Sequence, residues 1–270
     1  MTESANKTAF ITGASSGIGA EFARQLAGSG YDLVITARRA DRLYQLADSI
    51  RSANPVTVTV QPADISKMPD IELLVSVISN LSDLDILVNN AGFGTVGRFY
   101  RVDSPKQLAM LNVHMIAPVM LSRAALPIML SNNHGSIINV SSLAGLIPIR
   151  NVIYQSTKSF LINFSAGLQT ELMGSQVHVQ ALCPGFVYTE FHDTPEYSRF
   201  SRNSVPRFLW MTPSQVVSAS LKSLHRSQLV CIPGTLYQFA GLLARNSITM
   251  GLIRAAAILI LRNRKTFINP

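Results

Sequence analysis

Two serines, a tyrosine and a lysine share the stretch "SSLAGLIPIRNVIYQSTK" (141–158). Tyr154 and Lys158 stand four residues apart, so on a helix they occupy one face. A free phenol titrates near pH 10, too high for proton exchange at neutrality. An ammonium one turn away favours the phenolate and draws that value down. A neighbouring serine hydroxyl would hold a substrate oxygen and share the charge that develops on it. These residue types therefore suit proton transfer to or from a carbonyl or alcohol oxygen. Either Ser142 or Ser141 could be that serine; successive side chains of a strand point to opposite faces, which separates the two, and Ser142 is favoured with Ser141 as the alternative. A Tyr-x-x-x-Lys pair arises easily by chance, so its context has to carry the reading.

The context is a series of short Val- and Ile-rich runs separated by helix-length amphipathic segments. The runs are 8–12, 32–37, 56–61, 85–90, 136–141, 177–183 and 229–233, most of them apolar throughout, as strands buried on both faces are. The helical segments are 17–29, 41–52, 69–80, 104–130 and 153–173. Repeated β–α units of this size predict right-handed crossovers and an α/β, doubly wound parallel sheet of about seven strands with helices on both faces. Residues 1–234 read as one domain, followed by a basic, apolar helical extension at 235–270.

Directly after the first run comes "TGASSGIG". A glycine-rich turn between strand and helix brings the backbone close to a phosphate, and the helix amino end directs N–H groups and a positive dipole at it. Gly13, Ser15, Ser16, Gly17, Ile18 and Gly19 are thus candidates for holding a dinucleotide, in a Rossmann-like fold. About twenty residues on, an NAD site would carry an acid for the ribose 2′-hydroxyl. Here Ala37 stands at that place, followed by Arg38 and Arg39. Guanidinium groups pair with a 2′-phosphate, which points to NADP(H).

With these motifs in order, the chain resembles the short-chain dehydrogenase/reductase family. The shared features are "TGASSGIG", Asp64, "NNAG" (89–92), Asn112, "SSLAG" (141–145), "YQSTK" (154–158) and "PGFVYTEF" (184–191). The resemblance implies hydride transfer between a nicotinamide and a carbonyl or alcohol carbon, and a homodimer or homotetramer. It implies cofactor contacts from Asp64 and Ile65 near the adenine, from Asn90, Ala91 and Gly92 along the adenosine ribose, and from Pro184, Gly185, Val187 and Thr189 toward the carboxamide, with Tyr154 and Lys158 at the nicotinamide ribose. On residue grounds alone Asp64 is equally a turn former. Asn112 is implied to stabilise a helix kink and a proton relay to Lys158, making Asn112, Ser142, Tyr154 and Lys158 the catalytic set. The segment after Thr189 is implied to cover the substrate, and its aromatic residues suit a lipophilic carbonyl or alcohol. A 3-oxoacyl-thioester reductase of lipid synthesis and a non-catalytic NADP-binding regulator are the alternatives.

Charge sets further bounds. Residues 197–270 hold ten Lys and Arg and no acid, whereas residues 1–196 hold 13 against 15 acidic residues. The basic quarter is aliphatic and lacks nucleic-acid motifs, so no nucleic acid is expected; contact with a membrane surface through 235–270, a pocket wall or burial in an oligomer are the readings considered. The five histidines form no metal-binding spacing, so no metal is expected. Cys183 and Cys231 read as buried reduced thiols, and the amino end has no signal pattern, so a cytoplasmic protein is expected, with peripheral membrane contact as a further expectation.

Overall fold

The computed structural model describes residues 7–245, apart from 148, 150, 195, 196 and 199. Its centre is a seven-stranded parallel sheet in the order β3-β2-β1-β4-β5-β6-β9. The strands are β1 (Thr8–Thr12), β2 (Asp32–Thr36), β3 (Val58–Val60), β4 (Leu84–Asn89), β5 (Gly135–Val140), β6 (Val177–Leu182) and β9 (Val230–Cys231). All seven runs expected from the sequence are strands: β1 is as expected, β4 and β5 begin and end one residue earlier, and the other four are shorter by a residue or more. β1, β4 and β5 are buried along their whole length, which is why their sequences do not alternate.

Helices α1 (Gly17–Gly28), α2 (Ala40–Ala53) and α7 (Pro213–Leu224) cover one face; α3 (Met68–Ser79), α4 (Ser104–Leu111), α5 (Ala117–Ser131) and α6 (Val152–Glu171) belong to the other side. On the first face Phe22, Leu26 and Leu43 pack against Ile11 and Ile35. On the second, Ile71, Leu74, Leu121 and Met129 pack against Phe10, Leu87 and Ile137. Each fully buried side chain of this kind contributes about 1.5–3 kcal/mol relative to exposure. A buried polar chain crosses the sheet as well. Asn89 Nδ2 donates to Asn139 Oδ1 (2.8 Å), and Asn139 Nδ2 donates to Ser165 Oγ on α6 (2.9 Å).

The chain runs outward from β1 to β3 and then returns to place β4 on the other side of β1. That reversal opens a crevice at the carboxyl ends of β1 and β4, where ligands of doubly wound sheets bind.

Two departures from the expected elements bear on the site. The single helix expected at 104–130 is divided by a π turn at Asn112–Ile116. Pro118 explains part of this, because it has no N–H to offer the His114 carbonyl. By length and composition Ser104–Ser131 is apolar enough to cross a membrane; in the fold Met110, Ala117, Leu121 and Ala125 are buried in the core. Helix α7 was not anticipated, although its start carries a capping box. Thr212 Oγ1 accepts from Gln215 N–H (3.2 Å) and Gln215 Oε1 accepts from Thr212 N–H (2.9 Å). Strands β7 (Phe186–Val187) and β8 (Trp210–Met211) form a separate two-stranded pair. Helix α8 (Thr235–Arg245) begins the expected extension; the rest of it, 246–270, lies outside the described residues.

Candidate active site

A cleft of about 1330 Å³ follows the carboxyl edge of the sheet from the glycine loop to Tyr237. Its outer end is built from backbone and small residues. Thr12 Oγ1 accepts from the N–H groups of Asn90 (2.9 Å) and Ala91 (3.1 Å). Asn90 Nδ2 donates to the carbonyls of Thr12 (2.9 Å) and Gly13 (3.2 Å). The "NNAG" turn is thereby clamped onto the glycine loop. Gly19 is required by this clamp, since a methyl there would run into the Gly13 carbonyl and the Asn90 amide.

The amino end of α1 has no side-chain cap. Its first N–H groups, which no helix can satisfy internally, face the cleft with the positive end of the dipole. The Ser15 and Ser16 hydroxyls instead accept from Arg39 Nη2, both at 3.0 Å. Arg38 also lines the cleft, but Arg39 is the arginine built into the loop. An uncapped helix end, two hydroxyls and a guanidinium form a donor set suited to a polyanionic nucleotide. Ile18 and Ile65 supply apolar lining. Asp64 lines the cleft too, and its Oδ1 accepts from Ser66 N–H (3.2 Å) and Oγ–H (2.8 Å). That is the turn-forming arrangement weighed from the sequence.

The inner end holds the serine, tyrosine and lysine. Ser141 is buried and its hydroxyl donates to the Lys158 carbonyl at 2.6 Å, so it is committed to α6. Ser142 points the other way, as alternation along a strand end requires. Its oxygen accepts from Ala144 N–H (3.1 Å), and its side chain hydrogen-bonds to the Tyr154 hydroxyl. Lys158 is buried, donates from Nζ to the Val140 carbonyl (2.8 Å) and lies 5.7 Å from the centre of the Tyr154 ring.

The electrostatics differ from the expectation that lysine would draw the phenol down. Burial pushes the Tyr154 hydroxyl well above its ordinary value, with the Ser142 hydrogen bond acting against it. Burial also lowers Lys158, to about 8. Removing both groups from water disfavours both charged forms, and burial is the largest influence on each. Asn112 opens the π turn, where the helix kink was expected, and its Nδ2 donates to the Ser66 carbonyl (2.8 Å).

Three side chains escaped sequence reasoning. His114, on the π turn, is buried; its Nε2 accepts from Phe93 N–H (3.1 Å) and its Nδ1 pairs with Thr157 Oγ1 (2.9 Å). Its ring meets the Tyr154 ring edge-on at 5.8 Å. Burial, then the Lys158 charge, lowers its pKa far enough to keep it neutral. Gly92 makes room for it, because a Cβ there would lie 2.9 Å from His114 Nε2. Gly92 lines the cleft as well, so the same small residue borders the space expected for a ribose. Asn151 caps α6 by accepting from Tyr154 N–H (3.3 Å) and donates to the Thr95 carbonyl, fixing the tyrosine's turn to the cleft wall. The Asn-before-apolar-run pattern was the available signal. Glu190, third, pairs with Arg39 (2.8 Å) and with Arg42; nothing local in the sequence marks it.

Beyond Tyr154 the cleft becomes aromatic. Phe191 lies 5.7 Å from the Tyr154 ring. His192 stands among Phe186, Phe200 and Trp210 at 5.9, 4.9 and 5.5 Å, and its buried Nδ1 has no partner. Val187 is buried in β7, and Pro184 accepts from Leu143 N–H (2.9 Å). Thr189 packs over Gly17 and its hydroxyl accepts from Phe191 N–H (3.3 Å). The Tyr237 ring covers Gly185, and its hydroxyl accepts from Phe186 N–H (3.1 Å), so α8 contributes to the wall.

Comparison with known proteins agrees with this arrangement. The short chain dehydrogenase family model matches residues 7–197. The chain is 31% identical over 246 residues to the NADP-dependent 3-hydroxy acid dehydrogenase of Schizosaccharomyces pombe, covering 87% of this chain and 93% of that protein. It resembles the solved structure of a short-chain dehydrogenase from Sphingobium yanoikuyae in complex with NADPH, with a TM-score of 0.79, 28% identity and 98% of each chain covered. The bulky-bulky ketone specific alcohol dehydrogenase of Comamonas testosteroni gives a TM-score of 0.76 at 28% identity, over 98% of this chain and 97% of that one. With the family model spanning most of its length and the sheet order, glycine loop and Ser–Tyr–Lys geometry in place, the chain belongs to the short-chain dehydrogenase family and is an oxidoreductase.

Proposed function

We propose that this protein is an NADP(H)-dependent oxidoreductase that interconverts a bulky, lipophilic ketone or aldehyde and its alcohol, with Tyr154 as general acid and base. The observation that carries the reading is the meeting of Ser142, Tyr154 and Lys158 at the inner end of a cleft whose outer end is a polyanion site. The S. pombe relative, NADP-dependent by name, and the Sphingobium structure, in complex with NADPH, support the cofactor choice. The Comamonas enzyme, specific for bulky-bulky ketones, supports the substrate class.

The cofactor would be held by Arg39, Ser15, Ser16 and the α1 amino end at its phosphates, and by Val187 and Thr189 at its far end. When bound, the nicotinamide supplies or takes up the hydride. The chain's own residues manage the oxygen. A carbonyl oxygen placed between Ser142 and Tyr154 receives a hydrogen bond from the serine and the proton from the phenol. Because burial keeps the phenol protonated, the acid needed for reduction is present throughout the neutral range. Lys158, fixed by the Val140 carbonyl, stabilises the phenolate left behind. His114 is neutral and hydrogen-bonded at both nitrogens, so it orients the tyrosine rather than competing as a base. Phe191, Phe200 and Trp210 exclude water and shape the substrate end, and the unpartnered His192 Nδ1 offers one polar contact there.

The test is oxidation of NADPH and NADH by the purified full chain against bulky aryl and alicyclic ketones. NADPH turnover should exceed NADH turnover, and Tyr154→Phe should lower kcat about 10³-fold. Equal turnover by Tyr154→Phe, or no ketone turned over at all, would overturn the reading.

A further inference from the structure

Glu190 bridges the two ends of the cleft. Its carboxylate takes Arg39 Nη1 at 2.8 Å on one oxygen and Arg42 on the other. Arg39 is the same guanidinium that binds Ser15 and Ser16. Glu190 also opens the short turn Glu190–His192, whose next two residues are Phe191, against Tyr154, and His192, within the aromatic group. One carboxylate thus holds the phosphate end and the substrate end together. The two guanidiniums in turn hold Glu190 ionised, below the usual carboxylate range.

We propose that Glu190 is an internal stand-in for the 2′-phosphate and a determinant of cofactor selectivity: it pairs with Arg39 and gives way to a phosphate carried on the ribose 2′ oxygen. This rests on the NADP(H) reading. A doubly charged phosphate with three acceptor oxygens outcompetes a single carboxylate at a guanidinium pair, whereas a 2′-hydroxyl cannot. Displacement frees the Glu190–His192 turn, so phosphate binding at one end is felt at the ring contacts of the other. The chain carries a reporter for this, since Trp210 is its single tryptophan and lies 5.5 Å from His192 and 5.3 Å from Phe186.

The experiment uses the intact protein with 2′-AMP and 5′-AMP as probes, binding measured by calorimetry and the turn followed by Trp210 emission. In the wild type 2′-AMP should change the emission and 5′-AMP should not. Glu190→Gln should bind 2′-AMP about fivefold more tightly, the scale of a partly exposed ion pair, with 5′-AMP affinity unchanged. Its emission without ligand should already match that of the phosphate-bound wild type. Equal 2′-AMP affinity in the two proteins, or wild-type emission indifferent to 2′-AMP despite binding, would overturn the displacement. Weaker 5′-AMP binding in Glu190→Gln would overturn it too, by showing that the carboxylate grips the ribose. Equal affinity of the wild type for 2′-AMP and 5′-AMP, with Arg39→Met without effect on either, would instead remove the NADP(H) reading beneath it.

Discussion

The two ends of the cleft are made of different materials. At the phosphate end the work is done by main chain and small side chains: Thr12, Asn90 and Gly19 lock two loops together, and α1 leaves its amino end open. At the substrate end it is done by large rings from β7, β8 and the chain between them, packed ring against ring. The first kind of site tolerates almost no change of shape, because backbone cannot move aside. The second can repack, because rings adjust and neighbouring rings fill the space. A family that keeps one cofactor and varies its substrates is served by that division.

The largest expected effect therefore falls on a single methyl group. Gly19→Ala places a carbon against the Gly13 carbonyl and the Asn90 amide, neither free to retreat. We expect about 3 kcal/mol of lost stability, at the upper end for overpacking, with 2′-AMP binding lost as well. Thermal unfolding and calorimetry read both. A Gly19→Ala protein with wild-type Tm and affinity would show that the phosphate end is as plastic as the other.

A larger deletion at the substrate end should cost less. Phe200 stacks near His192 (4.9 Å) and Phe186 (6.3 Å) and is only partly buried. Phe200→Ala removes most of a ring, yet we expect about 2 kcal/mol, below the range for a fully buried phenylalanine. KM for a bulky ketone should rise several-fold while 2′-AMP affinity stays within twofold, because Glu190 is retained. A matching loss of nucleotide affinity would mean that the two ends are joined through the rings as well as through the Glu190 turn.

The same division governs what could be read from the sequence. The sheet, its helices and the glycine loop were legible because they rest on local pattern: apolar runs such as Ile86–Val88, and a strand–glycine–helix order. Ser142 was legible from strand alternation, and Ser141 proved to be the residue turned into α6. His114 was not, since its role depends on a π turn and on Gly92 more than twenty residues earlier. Glu190 was not, since its arginine partners lie about 150 residues away in the chain. The aromatic group was visible as composition, but which rings meet is decided by the pairing of β7 with β8. The influence of burial on Tyr154 was not legible for a related reason: spacing reports the neighbouring charge, whereas burial, the larger influence in the chain alone, belongs to the finished fold.

The last effect lies at the seam where the two ends meet, spread over several pH units, and its sign follows from burial. Lys158 titrates near 8 in the folded protein against 10.5 for an ordinary lysine. Between those values the unfolded chain holds a proton that the folded chain has shed, so stability rises with pH through that window. Tyr154 works in the opposite sense at higher pH: the unfolded phenol ionises from about pH 10 while the buried one stays protonated, so stability then falls. Urea unfolding from pH 7.5 to 10 should show a gain of about 1.4 kcal/mol per pH unit at most, the single-proton limit. Lys158→Met should abolish the gain, and Tyr154→Phe should leave it while removing the later fall. A wild-type profile that declined from pH 8 would mean that Lys158 keeps its charge in the fold, held by the phenol as the sequence first suggested, and that attraction outweighs burial at this seam.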